Sequence, residues 1–107
     1  MAFEIILAPA AVEDLRRLAA RERSNVRDAM ELYLRHQPTK VSKSRIKRLR
    51  GMSQPQYRLR VDELRVFYDV AEGQVQVLAI VAKADAIAWL AEAGKPHEDS
   101  PPERGQG

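Results

Sequence analysis

The stretch IKRLRGMSQPQYRLRVDELRVFYDV, residues 46–70, decides how this chain is read. Side chains alternate between the two faces of a β-strand. Along residues 56–61 this puts Tyr57, Leu59 and Val61 on one face and Gln56, Arg58 and Arg60 on the other. If Asp62 and Glu63 form a two-residue turn, Arg60 lies opposite Arg65, Leu59 opposite Val66, Arg58 opposite Phe67 and Tyr57 opposite Tyr68. One face is then wholly apolar or aromatic and belongs on a core. The other carries three arginines and a phenylalanine. The register is an assumption, because Asp-Glu is not a favoured hairpin pair and a longer loop would shift it.

Like charges directly opposite on neighbouring strands destabilise a sheet by a few tenths of a kcal/mol to about 1 kcal/mol. Arg60 against Arg65 therefore asks for a reason other than folding. The plain reading is a solvated edge of charges. Against it, the arginines share one face and neighbouring lysines extend the patch, which suits a phosphodiester with a base stacked nearby.

The distribution of charge points the same way. The chain has 107 residues and a net charge of +3, but residues 40–65 hold nine basic and two acidic residues. That segment is +7, so the remainder must be −4. A basic block in an otherwise acidic chain implies a local anionic partner. The length suits a single core. The absence of cysteine excludes a disulfide framework, a cysteine zinc site and a cysteine nucleophile. No apolar run is long enough to cross a bilayer, and the N-terminus lacks the basic start of a signal peptide. A cytoplasmic protein with no membrane partner is expected.

Outward from the hairpin, strands are expected at Ile46–Arg50, Gln56–Val61, Leu64–Ala71 and Gln74–Val81, with turns at 51–55 and 72–73. Thr39–Ser44 reads as a loop. Upstream, Phe3–Leu7 is a short strand. Pro9 suits the first turn of a helix over Ala10–Ala20, with Ala11, Leu15 and Leu18 inward and Asp14, Arg16 and Arg17 outward. A second helix is expected over Glu22–His36, and Pro38 stops it. Downstream, Lys83–Ala93 reads as a third helix. The order predicts an α+β fold (βααββββα), with an N-terminal strand and a helical hairpin packed on a mostly antiparallel four- to five-stranded sheet, and a C-terminal helix. The hairpin covers one face and leaves the other partly open. Residues 1–94 form the expected domain. Residues 95–107, rich in Pro, Gly and charge, form an expected disordered tail.

In the quoted stretch, a Leu-x-Gly turn leads into a Tyr-Arg-Leu-Arg strand and then an Arg-Val-x-Tyr strand. This pattern, in this element order, resembles the RelE/ParE superfamily of toxins from type II toxin–antitoxin pairs, over roughly Phe3 to Leu90. The resemblance to RelE-like members implies a ribosome-dependent mRNA endoribonuclease, in which a ribose 2′-OH attacks the adjacent phosphorus and leaves a cyclic phosphate. It implies Arg58, Arg60 and Arg65 as catalytic residues that hold the scissile phosphate, with Arg50, Lys47 and Arg48 binding RNA and Phe67 and Trp89 available to stack bases. It implies no metal or other cofactor. Its partners are the ribosome, mRNA and an acidic, partly disordered cognate antitoxin, for example of Phd/YefM-like type, in a hetero-oligomer.

RelE-type nucleases carry an arginine and a catalytic tyrosine after the last strand, where this chain reads IVAKADAIAWL. Lys83 takes the place of the cation among the catalytic residues, and Trp89 lies near the tyrosine position but has no titratable proton. Lys83, Tyr57, Tyr68 or groups of the ribosome remain as proton carriers. His36 and His97 are assigned surface and tail roles. Two alternatives stand: a ParE-like inhibitor of DNA gyrase, which uses the same fold without the catalytic set, and a non-catalytic binding protein.

Overall fold

The computed structural model describes residues 2–97. In chain order the elements are β1 (Glu4–Leu7), α1 (Pro9–Arg17), α2 (Ala20–Leu34), β2 (Ile46–Arg48), β3 (Met52–Gln54), β4 (Tyr57–Val61), β5 (Leu64–Ala71), β6 (Gln74–Ala82), a 3-10 turn (Lys83–Asp85), α3 (Ala86–Ala93) and β7 (Lys95–Pro96). Five strands form one sheet in the order β1-β6-β5-β4-β2. β1 runs parallel to β6, and the other pairs are antiparallel. The expected α+β architecture is present. No helix among the described residues is long and apolar enough to cross a membrane.

Both helices of the N-terminal hairpin start and stop a few residues earlier than periodicity suggests. Pro9 occupies the first turn of α1, where its missing N–H is no loss. Leu18 closes α1 in extended backbone, and the Arg23 guanidinium donates to the Leu18 carbonyl at 2.8 Å. That bond satisfies one of the carbonyls a helix end leaves free. Ala11 and Leu15 of α1, with Val26, Ala29, Met30 and Leu34 of α2, pack on Leu59, Val61, Val66, Tyr68, Val75 and Val77 of the sheet. The Tyr68 hydroxyl donates to the Pro38 carbonyl at 2.6 Å, which ties the chain after α2 to the sheet centre.

Asp14 departs from its expected outward position. At the bulge between β5 and β6, Phe67 pairs with Ala79 and Tyr68 with Val77, which leaves Leu78 unmatched. Farther along, where β6 has run past its last β1 pair at Val77, the Ile80 N–H donates to the Asp14 carboxylate at 2.9 Å. The residue supplies an acceptor where the ladder to β1 ends.

The segment expected to be only a turn, 51–55, contains a strand. β3 pairs antiparallel with β7, and the His97 N–H donates to the Gly51 carbonyl at 2.8 Å. Gly51 permits this course because its φ is 72°, a left-handed conformation few other residues adopt readily. Asp69 holds the next residues, accepting from Gln54 Nε2 and the Gln56 N–H at 2.8 Å each. Gly94, between α3 and β7, has no room for a Cβ: one would run into the Met52 methyl and the Leu90 carbonyl oxygen.

Lys95 and Pro96, at the start of the segment expected to be a tail, pair with β3. The rest of the expected tail, 98–107, lies outside the described residues. Ending the chain after His97 is expected to keep the melting temperature within about 3 °C of the full chain. Ending it after Gly94 removes β7, and a loss of about 1 kcal/mol lowers the melting temperature by about 4–8 °C. Thermal melts followed by circular dichroism compare the two, and equal midpoints would show that β7 adds nothing.

Candidate functional site

The hairpin forms in the register the alternation implied. Tyr57 pairs with Tyr68, Arg58 with Phe67, Leu59 with Val66, Arg60 with Arg65 and Val61 with Leu64. Asp62 and Glu63 make the two-residue turn, with Asp62 at a φ of 52°. Asp enters this region more easily than most side chains, so the turn closes without glycine.

Two rows of side chains consequently cross the sheet on the face away from the helical hairpin. One runs Lys47, Arg58, Phe67, Ala79, and the other Arg60, Arg65, Val81. Among the described residues, none of Lys47, Arg58, Arg60 or Arg65 forms an ion pair with a carboxylate. Arg58 is half-buried, and its Nε is buried without a hydrogen-bond partner. Burial first, then the charges of Arg65 and Arg60, pull its guanidinium below the usual arginine pKa. An arginine still keeps its proton at any physiological pH. The result is a fixed, uncompensated positive centre.

Arg65 is only 7% exposed. Its Nη1 donates to the Asp62 and Leu64 carbonyls at 2.9 Å each, so it braces the turn of its own hairpin. Arg60 is exposed beside it. Lys83 is also exposed, and its backbone N–H donates to the Glu63 carbonyl at 2.7 Å. Its backbone opens the 3-10 turn after β6, beside the Asp62–Glu63 turn of the hairpin.

Several expected residues do not join this group. The Phe67 ring is 1% exposed because Trp89 of α3 stacks on it, with centroids 4.8 Å apart and planes at 12°. Phe67 thus has no free face for a base, and the half-buried Trp89 presents only its outer side. Arg48 pairs across from Tyr57, one residue out of phase with Lys47. Its guanidinium donates to the Leu49 and Gln56 carbonyls and lies 5.3 Å from the Tyr57 ring centroid. Arg50 sits in the turn beyond, exposed. Tyr57 and Tyr68 stack on each other on the core side. Burial, with Tyr57 adding to it, pushes the Tyr68 hydroxyl well above the ordinary tyrosine range. Neither tyrosine can carry a proton on the arginine face. Among the described residues no cluster of three His, Asp or Glu side chains is placed to hold a metal ion.

An N-terminal strand and helical hairpin on one face of a twisted sheet, with an unneutralised arginine cluster on the other, define a small toxin fold of RelE/ParE type. Solved structures bear this out. A mutant of the Escherichia coli toxin RelE in the free state superposes with a TM-score of 0.65 at 23% identity, covering 87% of this chain and 95% of that one. The archaeal RelE–RelB complex from Pyrococcus horikoshii gives 0.64 at 20% identity, covering 78% and 97%. The YoeB dimer from Staphylococcus aureus gives 0.58 at 16% identity, covering 76% and 97%. At such identities the likeness speaks for the fold alone. No curated protein matches the chain. The profile of the family described as ParE toxin of type II toxin-antitoxin system, parDE, matches residues 5–87. The chain belongs to that family, within the RelE/ParE superfamily of type II toxins.

Proposed function

We propose that this toxin acts on RNA, as a ribosome-dependent mRNA endoribonuclease that blocks translation. The observation behind the reading is Arg58: a half-buried guanidinium with an unpartnered Nε, among like charges and, among the described residues, in no ion pair with a carboxylate. Such a group is destabilising in isolation and is relieved by an anion of matching shape. A phosphodiester fits, because guanidinium forks bind its oxygens in pairs. In this reading Arg58 and Arg60 hold the scissile phosphate and stabilise the charge that grows as the 2′-OH attacks. Arg65, braced to the turn, holds Arg60 and Arg58 at fixed potential and spacing. Lys83 is the proton carrier of this reading; otherwise the ribosome supplies that step. Lys47 and Arg50 steer the RNA backbone, and the outer side of Trp89 stacks a base.

The archaeal RelE described above is held in a complex with RelB, and this suggests how the present toxin is controlled. A cognate acidic antitoxin covers the basic face, and the pair resides with its target in the cytoplasm. A gyrase-directed activity is the second reading. It is favoured by the ParE description of the matching family, and by the stretch Lys83–Leu90, whose titratable side chains are Lys83 and Asp85 alone. A cell-free translation reaction followed by primer extension separates the two. Ribosome-dependent cuts within codons are the expected result. Inhibition of DNA supercoiling without any cut would overturn the nuclease and leave the gyrase reading.

A further inference from the structure

Beyond Arg60 the basic surface turns over the edge of the sheet. Arg45 immediately precedes β2, and its carbonyl accepts from the Arg60 N–H at 2.9 Å, so its backbone continues the Arg60–Arg65 row. Its side chain leaves that row. The guanidinium donates to the Arg60 carbonyl at 3.2 Å and lies 5.3 Å from the ring centroid of Tyr33 on α2. There it borders a cavity of about 200 Å³ where α2, the loop after it and β2 meet. Leu32, Tyr33 and Ile46 give this cavity an apolar and aromatic wall, and Lys40, Ser42 and Arg45 give it donors. Among the described residues no carboxylate lines it. Ser42 Oγ accepts the Arg45 and Ile46 N–H groups at 3.1 and 3.3 Å, and its own proton goes to no acceptor among the described residues. Lys40 is exposed and, among the described residues, in no ion pair. A neighbouring cavity that also borders Arg45 is lined by Asp28 and Asp62, which leaves the Lys40 side as the one that attracts anions.

We propose that this cavity is a base subsite for single-stranded RNA, taking a nucleotide that flanks the stretch held on Arg58 and Arg60. The proposal rests on the reading of the toxin as RNA-directed and extends the bound strand beyond the scissile phosphate. Unpaired bases stack on aromatic rings and on arginine planes, and a guanidinium held over a tyrosine ring presents such a platform with a charge on it. Arg45 is fixed at two points, the Arg60 carbonyl and the Tyr33 ring, so little freedom is lost when a base arrives. Lys40 and the Ser42 hydroxyl are the donors for the phosphate of that nucleotide. The volume suits one base, because cavities for drug-sized ligands begin at about 300 Å³. Leu32, at the rim, is 71% exposed, and a stacked base covers part of it. Arg58, Arg60, Arg45 and Lys40 then form one track for a polyanion, from the open face of the sheet over the β2 edge to the end of α2.

The test is binding of the full chain to a short fluorescent oligouridylate, read by anisotropy, beside an abasic oligomer with the same number of phosphates. Arg45→Lys keeps the charge and removes the flat guanidinium. It is expected to bind the oligouridylate at least about fivefold more weakly, the lower end for one lost base stack, and to bind the abasic oligomer as the parent does. Lys40→Gln is expected to weaken both oligomers about two- to fivefold. Arg21→Gln is the control: it sits on α2 about 18 Å from Tyr33 along the helix, beyond the ~10 Å Debye length at about 0.1 M salt, and should change neither by more than about twofold. Equal affinities of the parent and Arg45→Lys for the oligouridylate overturn the subsite. So does an equal loss on the abasic oligomer, which would mean that the surface reads charge alone, as a carboxylate-rich antitoxin segment would require. If Arg58→Met weakens oligouridylate binding and Arg45→Lys does not, the subsite falls and the RNA reading stands; if the parent binds no oligouridylate, both fall. A further readout needs no variant: in the parent chain the Arg45 Nε–H and Tyr33 ring resonances are expected to shift more with the oligouridylate than with the abasic oligomer. Equal shifts overturn the subsite.

Discussion

Arg58→Met is expected to melt about 1–3 °C above the parent chain and to lose at least about a hundredfold in toxic activity. The two effects have one origin. Arg58 is desolvated, stands beside Arg65 and Arg60, and leaves its Nε without a partner. Removing that charge relieves repulsion and the unmet donor, and methionine keeps an unbranched stem of similar length against Phe67. An arginine holds its charge throughout the physiological range, so the gain should not vary with pH there. On the proposed function the activity falls because the same charge meets the scissile phosphate. Loss of one donor to a developing oxyanion lowers rates by about a hundred- to a thousandfold. Thermal melts and a dose series in cell-free translation measure the two sides. A variant that is both more stable and fully toxic removes Arg58 from the mechanism. A variant that is much less stable shows that the guanidinium is satisfied in a way the free chain does not reveal.

This opposition between stability and function is also why the hairpin could be read from the sequence. Residues 56–68 alternate so strictly that one register alone puts every large apolar side chain except Phe67 on one side. Arg60 against Arg65 follows from that register, although folding by itself would avoid it. What alternation cannot show is which charges are solvated. Arg65 reads as an exposed cation, but the carbonyls that bury it belong to the turn beside it, and backbone acceptors leave no mark in a sequence. Arg48 reads as part of one basic block with Lys47. A charge count has no direction, and the β2–β4 ladder sends adjacent residues to opposite faces.

The C-terminal part was less readable for a different reason. α3 is apolar nearly all round, AIAWLAEA, so periodicity assigns it no inward face. That Trp89 covers Phe67 is a tertiary choice. The β3–β7 pair is two to three residues long and joins segments some forty positions apart. One partner includes a proline and the other precedes one. Strands so short carry no alternation to detect, and their pairing depends on Gly51 and Gly94 allowing the two segments to meet. Helical phase marks Asp14 outward, whereas β6 runs on past the end of its β1 partner at Val77 and its Ile80 N–H donates to the Asp14 carboxylate.

Leu59→Ala is expected to lower the melting temperature by on the order of 15 °C while leaving nucleic-acid affinity in the cold unchanged. Leu59 is fully buried at the middle of β4, between Ile46 of β2 and Val66 of β5. Truncating a buried leucine to alanine costs about 2–5 kcal/mol, the upper range where neighbours cannot collapse into the space. A three-strand contact held in register on both sides has little freedom to collapse. About 3 kcal/mol in a domain of this size corresponds to a shift of roughly 12–24 °C. Yet the Leu59 side chain points to the helices, and its neighbours Arg58 and Arg60 point the other way. While the sheet remains folded, the backbone spacing that sets the two arginines is held by the ladders to β2 and β5 rather than by the leucine. Melts and oligonucleotide titrations at about 10 °C check both halves. A fall of only a few degrees would mean that Leu59 is not at the centre of the core. A normal fold with lost affinity would mean that core packing on one face sets the arginine geometry on the other, and that the two faces of this hairpin are not separable.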